Sequence, residues 1–483
     1  MTCNLLDGRV VNRWYREPQI DSFVMKKTFY IKTYGCQMNF LDSQLVAGLL
    51  TQEGYQPTGD PSRAAVILVN TCAVREHAEQ RALGRIRELL RHKRGSPVVK
   101  LVVMGCMAQR LGEELFRLAP GVDMVVGPDS YRKLPRLLEG LDHTPISSLA
   151  LNPKESYSEV AALRGKGISA FVSVMRGCNN FCSFCIVPLV RGRERSRPPE
   201  EIVMEVKGLV AQGFKEVTLL GQNVNSYRWG ETDFPSLLLM LNGIEGLGRI
   251  RFTTSHPKDL SPQLLEVIGG SNRVCEHLHL PLQSGSNRIL QRMNRGYTRE
   301  GYLKLIEDAR RGIPNLALTT DLIAGFPGED DDDFQQTVEV MKEVSFDSSF
   351  TFKYSSRPGT KAAGFTDDVP PEVKAERLTA LIELQRRITA ELNQALVGTT
   401  QEVLVEKVGK LPGQLFGRTR TNKPVVSPGE EGLMGHALQL RIIKAKGWTL
   451  FGEPSNQATS SRGSTFRNQG RPLPTDNYLV AGP

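Results

Sequence analysis

No stretch of the chain reaches the roughly 20 consecutive apolar residues that a membrane helix needs, so no membrane partner is expected. Residues 1–24 lack the apolar core of a secretory leader and carry Arg9, Arg13 and Arg16 among polar residues, which makes the cytoplasm the expected location. Met25 reads as a natural initiator, because the first strand follows at once. The pair Gly165 and Gly167 opens no helical stretch, so it is not read as a phosphate loop. Histidine is scarce, and the nearest one downstream of the densest cysteine cluster is His256. No repeat is evident beyond an alternation of strands and helices.

The 483 residues allow about three domains at roughly 100–200 residues each. Hydrophobic residues make up 40%, enough for packed cores. The formal net charge of +9 favours a polyanionic partner through counterion release.

Residues 1–24 read as an irregular extension and 25–142 as a first α/β domain. There Phe29–Tyr34, Ala65–Val69, Val98–Met104 and Met124–Val126 are strand candidates. Helices are expected at Leu41–Glu53, with Asn39 or Asp42 as N-cap, at Glu76–Lys93 and at Ala108–Leu118. This succession predicts a parallel sheet covered on both faces. Residues 143–167 read as a linker.

Residues 168–398 form a second βα series. Its strand candidates are Phe171–Met175, Glu216–Leu220, Arg249–Thr253, His277–Leu280, Ala317–Ile323 and Ser349–Lys353. Six units predict a partial (βα)6 barrel, closed by a long helix over Pro371–Leu396. From 399 to 453 short strands punctuated by Gly and Pro predict a small all-β barrel. Residues 454–483 have little to bury and are expected to be disordered.

The eight cysteines carry most of the chemistry. Cys178, Cys182 and Cys185 form a C-x3-C-x2-C cluster directly after the first strand of the second domain. A structural zinc site wants four protein ligands, whereas three thiolates suit a four-iron cluster with one iron left open. Cys36, Cys72 and Cys106 each sit just past the C-terminal end of a predicted strand. Neighbouring strands lie ~4.8 Å apart, so in a parallel sheet these thiols share one edge. Cys3 and Cys275 fit neither set and read as ordinary thiols.

The C-x3-C-x2-C at the end of the first strand of a (βα)6 domain resembles the radical S-adenosylmethionine superfamily. The resemblance implies a [4Fe-4S] cluster whose open iron binds S-adenosylmethionine, which is cleaved to a 5′-deoxyadenosyl radical. Cofactor contacts are expected at strand ends: Gly221, Gln222 and Asn223, then Ser255, then Gln283 and Ser284, then Ile323, Gly325 and Pro327.

Three further cysteines ahead of such a core resemble the methylthiotransferase family, in which a second [4Fe-4S] cluster delivers sulfur. Thr33-Tyr34-Gly35-Cys36-Gln37-Met38-Asn39 resembles the branch acting on N6-isopentenyladenosine in tRNA. The implied reaction is methylthiolation of C2 of N6-(dimethylallyl)adenosine at position 37, beside the anticodon. The implied partners are the tRNA anticodon loop, a flavodoxin- or ferredoxin-type electron donor and a sulfur source, with the enzyme a monomer. Rival substrates are threonylcarbamoyl-adenosine in tRNA or an aspartate of a ribosomal protein. A non-catalytic iron–sulfur protein that binds RNA or carries electrons is the rival of another class.

The C-terminal module resembles the TRAM domain. Arg418, Arg420, Lys423 and Lys444 are its expected RNA contacts, with Phe416 and Trp448 read as barrel core. Arg191 and Arg193, in the arginine series 191–197, are expected to meet phosphate. The acidic run Glu329–Asp333 is read as complementing a helix dipole.

Overall fold

The computed structural model describes residues 27–73, 76–94, 98–142 and 144–455. The expected extension, the Met25 start, Cys3 and the tail beyond residue 455 lie outside the described residues. Among the described residues no helix is long and apolar enough to cross a membrane.

The first domain runs β1 (Thr28–Thr33), α1 (Gln37–Gln52), β2 (Gln56–Pro57), β3 (Val66–Thr71), α2 (Glu76–Arg94) and β4 (Lys100–Gly105). It continues through α3 (Cys106–Leu111), α4 (Glu114–Leu118), β5 (Met124–Val126), α5 (Leu134–Glu139) and β6 (Ile146–Ser148). The sheet order is β2-β1-β3-β4-β5-β6, and every pairing is parallel. Side chains alternate between faces. Val66, Leu68, Val102 and Met104 pack with Leu45, Val46 and Leu50 of α1. Ile67, Val69, Leu101 and Val103 pack with Ala82, Ile86 and Leu89 of α2.

Three details depart from the sequence reading. The N-cap of α1 is Cys36, not Asn39 or Asp42, because the helix starts at Gln37 and carries both polar residues inward. The helix expected over 108–118 is broken in two at Gly112, whose φ is +54°. The stretch read as a linker supplies β6, which pairs with β5. It also supplies the buried Tyr157, whose hydroxyl donates to the Pro128 carbonyl at 2.8 Å.

The second domain begins with β7 (Ser169–Ser173), β8 (Met175–Arg176), α6 (Val187–Arg191), β9 (Arg195–Ser196), α7 (Pro199–Ala211) and β10 (Glu216–Leu220). Next come β11 (Arg228–Trp229), β12 (Thr232–Asp233), α8 (Phe234–Asn242), β13 (Arg249–Phe252), α9 (Pro262–Gly270) and β14 (His277–His279). It ends with α10 (Asn287–Arg292), α11 (Arg299–Gly312), β15 (Ala317–Ala324), α12 (Asp331–Val344), β16 (Ser348–Lys353) and α13 (Pro371–Gln394). The long strands form two parallel half-sheets, β13-β10-β7 and β14-β15-β16, bridged by Ile250 and Val274. This is the expected open six-stranded barrel. Its β7 side is covered by the first domain. Phe40 of α1 meets Phe171 edge-on at 6.0 Å, and Met38 and Leu41 pack on Leu220. The acidic run behaves as read: Asp330 caps α12 in a reciprocal capping box with Asp333.

The third domain is a closed barrel of β17 (Thr400–Val408), β18 (Gln414–Thr419), β19 (Pro424–Pro428), β20 (Ala437–Lys446) and β21 (Thr449–Pro454), ordered β17-β18-β19-β21-β20. Val403, Val425, Leu440, Ile442 and Leu450 fill it. Phe416 and Trp448 are not in that core. Alternation along β18 turns Leu415, Gly417 and Thr419 inward and Phe416 outward, between Lys407 and Arg418. Trp448, in the turn before β21, is 45% exposed.

Cations dock the barrel against the N-terminal ends of the core strands. Arg249 reaches Glu402 at 2.8 Å, and Arg251 donates to the Thr419 carbonyl at 2.7 Å. Arg420 pairs with Glu276 at 2.7 Å and donates to the Val274 and Asn272 carbonyls. Lys423 reaches Asp347 at 2.6 Å. Arg420 and Lys423, expected to hold RNA, are thus engaged in intrachain ion pairs. Arg420→Ala is expected to weaken docking by about 1–3 kcal/mol, because it strands Glu276 and two carbonyls. Earlier loss of the barrel in urea, or faster proteolysis between α13 and β17, would register this; unchanged protection would contradict it.

Candidate active site

Cys36 and Cys72 follow β1 and β3, Cys106 opens α3 directly after β4, and these strands are adjacent and parallel. The three thiols therefore gather at one sheet edge. Glycines make the approach possible. Gly35 (φ +132°) precedes Cys36, and a Cβ there would stand 2.6 Å from the Cys72 Cβ. Gly105 (φ +97°) precedes Cys106, and a Cβ there would lie 2.3 Å from Asn70 Oδ1. Both sites exclude a side chain by crowding and by backbone conformation.

Two asparagines fix the loops: Asn39, read from the sequence as a cap, and Asn70, given no role there. Asn39 donates to Asn70 Oδ1 at 2.9 Å and to the Thr71 carbonyl at 3.0 Å. Asn70 donates back to the Asn39 carbonyl at 2.7 Å. Both are fully buried.

The second trio lies in the loop after β8. Gly177 (φ +79°) precedes Cys178, and a Cβ there would collide with the Arg193 carbonyl. The Gly177 amide donates to Gln222 Oε1 at 2.6 Å, which ties the cysteine loop to the end of β10. The Ser183 amide donates to the Met293 carbonyl, and Ala362 N–H donates to the Ser183 carbonyl, so the loop also grips the far half-sheet. Arg295, buried, donates from Nη1 to Cys182 Sγ at 3.1 Å. Phe181, between Cys178 and Cys182, has φ +48° and is 42% exposed, with the Arg193 guanidinium 4.1 Å from its ring centre.

The two sites meet at α6, which starts two residues after Cys185. Cys106 packs with Ile186 and Val190. Arg191 donates from Nε to Cys106 Sγ at 3.1 Å and from Nη2 to Asp42 Oδ2 at 2.8 Å. Arg176 donates to the other Asp42 oxygen at 2.7 Å. Asp42 has no exposed surface, and Arg191 is 3% exposed, so Arg191 meets no phosphate as had been expected. Arg195 pairs with Asp129 and Arg197 with Glu205. Within the series 191–197, Arg193 alone is exposed.

At the barrel rim the structure brings Gln222, Asn223 and Ser255 to the cysteine loop's side. Asn223 donates to Asp259 at 2.7 Å, while its Oδ1 and the Ser255 hydroxyl are buried without partners. His256 joins them, although it was not singled out as a site residue. Its backbone is held by Asn225, its ring stands edge-on to Tyr297 at 5.7 Å, and its Nε2 is buried and unpartnered. Burial first, then the charge of Arg295, lowers its pKa to about 2. Nδ1 accepts from the Lys258 amide at 3.3 Å, so the proton of the neutral ring resides on Nε2. Gln283 has φ +72°, and Ser284 is fully buried beside Thr337. Gly325 (φ +70°) donates to Glu329, the Pro327 carbonyl accepts from Arg292, and Ile323 packs near Phe326. Gly325 and Pro327 shape the turn after β15, and Ile323 lies in the strand itself.

Residues 28–127 match the uncharacterized protein family UPF0004, 172–341 the radical SAM superfamily and 394–454 the TRAM domain. A Moorella thermoacetica protein named tRNA-2-methylthio-N(6)-dimethylallyladenosine synthase is 48% identical over 436 residues, covering 89% of this chain and 98% of the relative. A Parabacteroides distasonis protein of the same name is 48% identical over 438 residues, covering 89% and 96%. The chain belongs to the radical S-adenosylmethionine methylthiotransferase family. A radical S-adenosylmethionine methyltransferase from Kitasatospora setae, solved with cobalamin and a [4Fe-4S] cluster, shares the fold at TM-score 0.54. Its identity is 15%, over 81% of this chain and 80% of that one.

Family membership implies one [4Fe-4S] cluster and S-adenosylmethionine for this methylthiotransferase, and the second trio fits them. Its donors are thiols with Arg295 beside them, and three unpartnered polar groups stand at the adjacent rim. Among the described residues no three His, Cys, Asp or Glu side chains close on one point as a single metal ion requires. In a cluster each thiolate takes a separate iron, so such convergence is not needed.

Cys36 stands apart in acidity, since burial raises its own partner Cys106 as it does Cys178 and Cys185 of the second trio. A hydrogen bond with Cys72 and the charge of Arg191 outweigh desolvation and lower the Cys36 thiol to about 6. Burial pushes Cys178 up to about 11 and Cys185 up to about 12. The thiolate is the form that alkylates. Anaerobic iodoacetamide at pH 7 should therefore label Cys36 well before Cys178 or Cys185, and labelling of Cys36 should fall as pH drops through about 6. Peptide mass spectrometry would read this; equal labelling of the three would contradict it.

Proposed function

We propose that this methylthiotransferase converts N6-(dimethylallyl)adenosine at position 37 of tRNA to its 2-methylthio form. The observation carrying this reading is that α6, which follows Cys185, packs on Cys106 of the other trio, with Arg191 joining the Cys106 thiol to Asp42. In this reading Cys178, Cys182 and Cys185 hold the cluster that works with S-adenosylmethionine. Cys36, Cys72 and Cys106 hold a second [4Fe-4S] cluster. Bound there, these groups would supply a carbon radical to take hydrogen from C2 of the adenine, the sulfur that replaces it and, from a second S-adenosylmethionine, the methyl group carried by that sulfur.

The chain's own residues bind and orient. Gly177 and Gln222 fix the cysteine loop against β10. Asn223, Ser255 and the Nε2–H of His256 offer one acceptor, one hydroxyl and one donor to S-adenosylmethionine or to the adenine. Phe181 and Arg193 give an exposed stacking face beside Cys182 for an unstacked base. Lys444 and Arg193 are exposed cations for phosphate, and Arg418 flanks the outward Phe416. The electron comes from a flavodoxin- or ferredoxin-type donor, and a separate sulfur source replenishes the sulfur that the second cluster delivers. The enzyme acts as a monomer in the cytoplasm, where tRNA is found.

Nucleoside mass spectrometry of tRNA from a deletion strain tests the substrate. Loss of 2-methylthio-N6-(dimethylallyl)adenosine with accumulation of its unthiolated precursor is expected. A change confined to threonylcarbamoyl-adenosine, or to no tRNA nucleoside, would contradict the reading. In reconstituted protein Cys182→Ala should form no 5′-deoxyadenosine, whereas Cys72→Ala should still form it and yield no methylthio product. Phe181→Ala should weaken anticodon stem-loop binding by about 1–3 kcal/mol, the value of one base–aromatic stack. A fluorescence titration giving the parent affinity would sink that assignment.

A further inference from the structure

We propose that Arg191 is a positioning residue that sets the electrostatics of the first domain's cysteine trio from the opposite domain; this rests on the reading that Cys36, Cys72 and Cys106 hold a cluster. Arg191 ends α6 of the barrel, yet its Nε–H points at Cys106 Sγ, 3.1 Å away in the other domain. The approach is fixed from two sides. Asp42, on α1, accepts from Arg191 at 2.8 Å and from Arg176 at 2.7 Å. Arg176 in turn lies 4.6 Å from the centre of the Tyr157 ring.

The charges do not cancel. One carboxylate faces two guanidinium groups, all three buried, which leaves a surplus positive charge against the thiols. Arg191 Nη1 is buried without a partner, so one donor group of this cation remains unspent. A three-cysteine cluster is an anion, and reduction makes it more negative. A buried cation and an N–H···S bond both favour the reduced form and raise the reduction potential. The radical-site trio has the equivalent donor, Arg295, from its own barrel. The first domain's trio borrows its donor, so its sulfurs reach their working potential only when the domains are docked.

The test uses the full chain with Cys178, Cys182 and Cys185 replaced by Ala, reconstituted anaerobically with iron and sulfide. The midpoint potential is then followed by electron paramagnetic resonance during reductive titration. Arg191→Met, which removes the charge and the donor, should keep iron and sulfide and move the midpoint to a more negative value. Arg191→Lys, which keeps the charge without the planar fork, should move it in the same direction by less. Parent potential in both variants would overturn the proposal. If Arg191→Met fails to fold, Arg191→Lys decides alone: a negative shift supports the role, and the parent value ends it. A parent that takes up no iron would instead bring down the reading of the trio itself.

Discussion

The structure turns on one buried carboxylate. Asp42 sits on the first helix of one domain and binds two arginines of the next, which flank the loop of Cys178, Cys182 and Cys185 on either side. Burying three charged groups costs several kcal/mol per ion before their attraction is counted, so such a set is poor evidence for stability as such. Its value is in placement. In this docking Asp42 satisfies both guanidinium groups, and the clamp sets the Cys106 thiol against the end of α6. Arg195 and Asp129 make a second cross-domain contact of the same kind.

Around that clamp, backbone chemistry brings thiols to an edge. A parallel sheet aligns strand ends, and the loops leaving them must turn sharply. Gly35, Gly105 and Gly177 each precede a cysteine, each has positive φ, and each lacks room for a Cβ. Asn39 and Asn70 then bond each other's side chain and backbone, which holds two of the loops in register. The result is two thiol trios on rigid supports, with the five-residue α6 packed on Cys106 of one and starting two residues after Cys185 of the other.

Much of this was legible in the sequence. The apolar run Ala65–Val69 and strand patterns such as Glu216–Leu220 marked the strands, strand ends grouped Cys36, Cys72 and Cys106, and the C-x3-C-x2-C spacing grouped Cys178, Cys182 and Cys185. What was missed has physical reasons. Strands of three to six residues bounded by Pro or Ser, such as β6 and β19, are too short to show a period. Asn39 and Asp42 look like caps until the helix is seen to begin earlier, at which point their inward polarity becomes the site. The arginines from 191 to 197 read as a phosphate stripe because sequence cannot show partners such as Asp42, Asp129 and Glu205, which lie far away along the chain. Alternation along β18 placed Phe416 outside the barrel, where composition had suggested core.

If both trios hold clusters, as proposed, the clamp sets them close enough to sense each other. The most direct measurement is electron paramagnetic resonance of the fully reduced protein, compared with variants in which one cysteine trio or the other is replaced by Ala. The account predicts a spectrum broadened or split by magnetic coupling in the parent and simple signals in each variant. A parent spectrum equal to the sum of the two variants would show that the clusters do not lie close together, and would contradict it.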